Sequence, residues 1–127
     1  MSVAVLDTNA LMMPVECDLR VFEELDRLLS SPTLVVPEAV RAELEDLADN
    51  GNGSTETTAA RVGLDLAQRC TVRETAASYA DNAVVELAQT GDVTHAVTND
   101  GPLQERLRGV DASVIRLRGR NKLAINV

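Results

Sequence analysis

Short apolar runs alternate along this chain with stretches whose apolar residues recur every three or four positions. Val3 to Leu6, Thr33 to Val36, Cys70 to Val72, Ala96 to Thr98 and Ser113 to Leu117 are brief, rich in β-branched residues, and read as strands. Between them, Leu19 to Leu29 places apolar residues at 21, 22, 25, 28 and 29, the period of an amphipathic helix. Pro37 to Ala48 reads as a helix with Pro at its first position, and Thr55 to Gln68, Asp81 to Gln89 and Pro102 to Leu107 read as further helices. Alternation of this kind predicts an α/β sandwich around a mainly parallel sheet. Asp49-Asn50-Gly51-Asn52-Gly53-Ser54 reads as a flexible loop. With no internal repeat and no linker, a single domain over residues 1–127 is expected.

Four acids fall where solubility explains them poorly. Asp7 ends the run Val3-Ala4-Val5-Leu6, and Asp100 follows Ala96-Val97-Thr98, so both lie beyond the carboxyl ends of predicted central strands, the edge at which open α/β sheets bind ligands. At 100° per residue, Ala39, Val40, Glu43, Leu44, Leu47 and Ala48 form one stripe, in which Glu43 is the charged member. On the later helix Ala80, Asp81, Val84, Val85, Leu87 and Ala88 form another, with Asp81 in the first turn. Each acid also has a plainer reading: Asp7 as a strand-end turn residue, Asp81 as a helix N-cap, Asp100 as turn chemistry in Asn99-Asp100-Gly101-Pro102, and Glu43 as a side chain snorkelling into water.

A carboxylate turned toward a core is costly unless paired or bound to a metal, and neither stripe carries a cation. Four such acids converging on one strand-end cleft would make an oxygen-rich site suited to hard cations, with positions left for water and phosphate. The chemistry this supports is phosphodiester hydrolysis. A phosphatase with an aspartyl nucleophile would need a second Asp two positions after Asp7, where this chain has Asn9. His95 has no acidic or cysteine partner at metal-ligand spacing.

Composition refines the picture. With one Tyr, one Phe and no Trp, the core must be built from Val, Leu, Ala and Ile, and base stacking is not expected as the main binding device. The net charge of −8 is unevenly spread: from Arg106 to the C-terminus six basic residues face the single acid Asp111. Arg116, Arg118 and Arg120 would share a face of the last strand to the extent that it stays extended, a row suited to RNA phosphates or to guarding a sheet edge. Lys122, the one lysine, follows them. An acidic, lysine-poor composition is also the style of proteins kept soluble in high salt, so a halophilic source is expected. Cys17 and Cys70 have no metal or disulfide spacing and read as reduced structural thiols. Neither a signal peptide nor a membrane span is evident, which makes a cytoplasmic location the expectation.

Taken together, these segments resemble the PIN-domain nucleases over nearly the whole chain. The strand ending in Asp7-Thr8-Asn9 is similar to that family's first motif. Pro37 to Leu44 resembles the helix carrying its glutamate, Asp81 to Ala88 the helix carrying its third acid, and Val97-Thr98-Asn99-Asp100 the strand end carrying its fourth. The resemblance implies a three-layer α/β sandwich and endonucleolytic RNA cleavage dependent on Mg²⁺ or Mn²⁺. Asp7, Glu43, Asp81 and Asp100 would be the catalytic and metal-holding acids, with supporting polar roles for Asn9 and Thr98. The ending Val114 to Leu123 looks most like the archaeal branch related to small-subunit ribosomal RNA processing nucleases, with VapC-type toxins as the competing branch and a weakly active assembly scaffold as the alternative of another class. RNA is the implied partner, bound in part through Arg116, Arg118, Arg120 and Lys122, and a homodimer is left open. Gly101 and Pro102 follow Asp100 where some relatives supply a further acid, so the number of metal ions also stays open.

Overall fold

The first apolar run forms a strand over the predicted residues, β1 (Val3–Leu6), with its last three residues fully buried. Burial of consecutive residues means that both faces of the strand are covered, as in a sheet packed between helices. The computed structural model describes residues 1–50 and 53–126; Gly51 and Asn52 of the predicted flexible loop lie outside them, as does Val127. After β1 come α1 (Thr8–Glu16), α2 (Val21–Leu29), β2 (Thr33–Pro37), α3 (Glu38–Asp49), α4 (Thr55–Ala67) and β3 (Thr71–Arg73). The chain continues through α5 (Ala80–Ala88), β4 (His95–Val97), α6 (Gly101–Leu107), β5 (Ser113–Arg118) and β6 (Lys122–Asn126).

The six strands form one sheet in the order β3-β2-β1-β4-β5-β6, parallel except for the antiparallel β5–β6 pair. From β1 the chain winds outward through β2 and β3, then returns to the other side of β1 for β4 and β5. This reversal leaves a crevice beyond the carboxyl ends of β1 and β4, the switch point at which such sheets bind ligands. The expected α/β architecture with its mainly parallel sheet is therefore present.

Two elements were not expected from the sequence. The helix α1 begins immediately after β1 and contains Pro14, a residue that removes one helical hydrogen bond and reads as a break. Burial of Ala10, Leu11, Met12 and Met13 holds it in place. It packs closely on α4 at Gly63, where an added Cβ would stand 3.1 Å from both the Leu11 carbonyl oxygen and Leu44 Cδ2. The strand β6 returns along β5 after a turn through Gly119, whose φ of +70° suits a residue without a side chain. Its outer edge is sealed at Leu123: Glu24 Oε1 accepts from the Leu123 amide at 2.9 Å, and Arg27, paired with Glu24, donates to the Leu123 carbonyl at 2.9 Å. An edge strand covered in this way is less available for pairing with another chain. Pro37, expected as the first helical residue, is instead the N-cap of α3, which starts one place later at Glu38.

Candidate active site

Asp7 follows β1 directly and caps α1, with Oδ1 accepting from the Ala10 amide at 2.7 Å. Its Oδ2 accepts from the Thr98 hydroxyl. Thr98, fully buried one residue past β4, also accepts at Oγ1 from the Asp100 amide at 3.0 Å. One hydroxyl thus ties together the acids that end two neighbouring parallel strands. Asp100 in turn caps α6, with Oδ2 accepting from the Leu103 amide at 2.9 Å. Turn and cap chemistry, the plainer reading of Asp7 and Asp100, is real. It uses part of each carboxylate, which has about four acceptor positions.

Asp81 is not the N-cap of α5; Tyr79 holds that place without a side-chain bond, and Asp81 lies in the first helical turn, half-buried. Glu43 departs from expectation. It is exposed, because the core-facing line of α3 is Val40, Leu44 and Ala48, and Glu43 lies about 100° from the middle of that line. All four acids nevertheless line one cleft of about 350 Å³ at the switch point, joined by Thr8, Asn9, Met12, Glu16, Leu47 and Glu56. Burial therefore falls from Asp7, 3% exposed, through Asp81 and Asp100 to Glu43 at the rim.

The electrostatics follow that gradient. The Asp7 carboxyl is raised from 3.8 to about 7, chiefly by burial, with its hydrogen bonds from Thr98 and Ala10 opposing the rise and the charges of Asp81 and Asp100 adding to it. Asp81 is raised by burial, then by Asp100 and Glu43, and is relieved in part by Arg106. Here the absence of a cation from the two helical stripes is answered from elsewhere, since Arg106 stands in the last turn of α6.

Whether the lining suits a divalent ion can be judged from its chemistry. The donors are carboxylate, hydroxyl and amide oxygens, the ligands of hard cations. The Thr8 hydroxyl is buried in this lining with no hydrogen-bond partner among the described residues, an acceptor available to a bound water. No three His, Cys, Asp or Glu side chains among the described residues form a ready-made clasp. It is the oxygen chemistry of the lining that fits Mg²⁺, an ion that keeps several of its waters.

Sequence reasoning missed Thr8, Glu16 and Glu56 at this cleft. Glu16 belongs to a helix that Pro14 conceals, and Glu56 sits in an ordinary acidic first turn. Of the basic residues, Arg116 and Arg118 alternate along β5 and are exposed, and Lys122 stands opposite Arg118 across the hairpin. Arg120 does not continue the row: it lies in the turn, because extended structure stops at Arg118. It lines a neighbouring cleft of about 740 Å³ that shares Glu16 with the acidic one. Among the described residues none of these four cations forms a salt bridge with a carboxylate, though the charge of Lys122 acts on Glu24. His95 lies at the start of β4, at the other end of the sheet, with Nδ1 against the Thr94 hydroxyl at 2.7 Å.

The profile of the PIN-like domain family matches residues 4–120. Among solved structures, the PIN domain endonuclease Utp24 superposes with a TM-score of 0.78 at 23% identity, covering 98% of this chain and 90% of that one. A chain of VapBC2 from Rickettsia felis, solved bound to a DNA fragment from the promoter, superposes with a TM-score of 0.66 at 14% identity, covering 91% of this chain and 99% of that one. No curated protein matches the sequence.

Proposed function

The chain belongs to the PIN-like domain family, and from that premise we propose that it is a metal-dependent endoribonuclease whose catalytic acids are Asp7, Glu43, Asp81 and Asp100. One observation carries the proposal: six carboxylates line a single cleft at the switch point, and the most buried of them, Asp7, has no cation paired with it among the described residues. A structural role would place a cation there; a cleft built from acids instead suits an arriving one.

In this reading Asp7, Asp81, Asp100 and Glu43 hold Mg²⁺ or Mn²⁺, in part through water. The bound ion would polarise the phosphoryl group, lower the pKa of water and stabilise the leaving oxygen. The protein's own part is placement. Thr98 ties the Asp7 carboxylate to the backbone amide of Asp100. Asn9, exposed at the cleft mouth, offers an amide to a phosphate or a ribose hydroxyl. Arg116, Arg118 and Lys122 on the hairpin, with Arg120 in the adjoining cleft, attract the flanking backbone. Two like charges opposed across a hairpin, Arg118 and Lys122, disfavour folding and are explained by a polyanionic partner.

Similarity to the endonuclease Utp24 over almost the full chain, and the basic ending, favour the ribosomal RNA processing branch over the toxin branch. An adjacent small antitoxin gene would reverse that preference. The proposal also places the protein in the cytoplasm and allows a homodimer; no helix among the described residues is long and apolar enough to cross a membrane. Incubation of the purified protein with structured and single-stranded RNAs tests the reading. Cleavage is expected with Mn²⁺ and with Mg²⁺ and none with EDTA, whereas metal-independent cleavage, or none on any RNA, overturns it in favour of a binding scaffold.

A further inference from the structure

We infer that Tyr79 is a stacking platform for one unpaired RNA base near the acidic cleft; the inference rests on the nuclease reading above. Tyr79 is the one tyrosine of a chain without tryptophan, and its side chain is 61% exposed. Among the described residues no hydrogen bond or ring contact engages that side chain, whereas the one phenylalanine, Phe22, packs against the core beneath Arg69. It occupies the N-cap of α5, where Ser, Thr, Asp or Asn would secure the helix, and makes no side-chain cap bond there. Neither burial nor capping accounts for the ring.

Its position does. Tyr79 lies outside the lining of the acidic cleft but only two residues before Asp81, which belongs to it, a length of chain that spans no more than about 7 Å. The backbone that carries the ring is held on both sides. Glu86 accepts from the amides of Ala76 and Ala77 at 2.9 and 3.0 Å, and the Thr75 hydroxyl donates to the Ala77 carbonyl at 2.6 Å. The Tyr79 carbonyl accepts from the Ala83 amide at 2.9 Å. An aromatic ring on a fixed backbone loses little freedom when it binds. A free π-face stacks on any base, and a base can reach it only when it is not paired in a helix.

The sole tyrosine is also the reporter. In an Asp100→Asn background with Mg²⁺, intended to bind RNA without cutting it, titration with a short single-stranded RNA should quench the tyrosine emission. Labelled-RNA anisotropy should show Tyr79→Ala binding roughly tenfold or more weakly, with Tyr79→Phe restoring most of the affinity. An abasic nucleotide at the cleavage position should weaken binding comparably when Tyr79 is present and hardly at all in the Ala variant. RNA that binds with emission unquenched and affinity unchanged by Tyr79→Ala overturns the inference, turns attention to a protein partner for the ring, and leaves the nuclease reading intact. An Ala variant that loses affinity equally for intact and abasic RNA, and melts lower, also overturns it, because the residue then acts on the helix. If the wild-type protein neither binds nor cleaves any RNA, both readings fall.

Discussion

Asp7 is a carboxylate that the fold withholds from water, and its titration should be visible in the stability of the metal-free protein. Its folded pKa of about 7 lies above the ordinary 3.8, so between these values the native state keeps a proton that the unfolded chain has released. The resulting stabilisation is complete below about pH 4 and is lost as pH rises toward 7, at a slope of up to about 1.4 kcal/mol per pH unit. Denaturation in EDTA across this range should show that decline, and Asp7→Asn, which can still cap α1, should flatten it. Thr98→Val is the complementary test: Asp7 Oδ2 and the Asp100 amide lose their shared partner. We expect a cost of roughly 1–3 kcal/mol in stability and a loss of about 10- to 100-fold in metal affinity, read by melting and by Mg²⁺ titration of cleavage. At this scale the sequence was informative for Asp7 and Asp100, because strand ends locate residues without knowledge of neighbours. It was less so for Glu43, because a wheel drawn from one helix cannot say where the centre of the buried face lies until Val40, Leu44 and Ala48 are seen to claim it. The link through Thr98 depends on pairing between β1 and β4, which no local pattern contains.

Among the elements, β1 and the mainly parallel sheet were legible, since buried parallel strands are short apolar runs and their helices have a clear period. The helix α1 was not, because Pro14 outweighs its neighbours in any local reading while burial of Leu11 and Met13 decides the matter in the fold. The strand β6 was hidden for another reason: its edge is completed by Glu24 and Arg27, almost a hundred residues earlier. That seal bears on the basic hairpin. With part of the β6 edge already covered, Arg116, Arg118 and Lys122 are less needed as guards against edge pairing, and phosphate binding becomes the better account. Replacing all three by Ala should weaken binding to every single-stranded RNA alike and reduce the slope of log affinity against log salt by roughly 0.7 for each phosphate that is no longer neutralised. An unchanged slope would return these residues to the edge-guarding role.

At the scale of the whole molecule, a chain of net charge −8 has half of its cations from Arg106 onward and a group of acids in one cleft. The proposal that its surface is adapted to high salt predicts a melting temperature that rises from low to molar KCl; a flat response would count against it. The cleft itself opposes stability to activity, as functional sites do. Asp100 adds to the charge that burdens both Asp7 and Asp81. Asn caps a helix as well as Asp does, so Asp100→Asn removes that charge while leaving α6 secured. The decisive measurement is therefore thermal melting of wild type and Asp100→Asn in EDTA and across millimolar Mg²⁺, beside an RNA cleavage assay. The account predicts that the variant melts higher than wild type in EDTA, gains far less from Mg²⁺ than the wild type gains by preferential binding to the folded state, and no longer cleaves. A variant that cleaves RNA at near the wild-type rate, with the same response to Mg²⁺, would contradict the four-acid metal site.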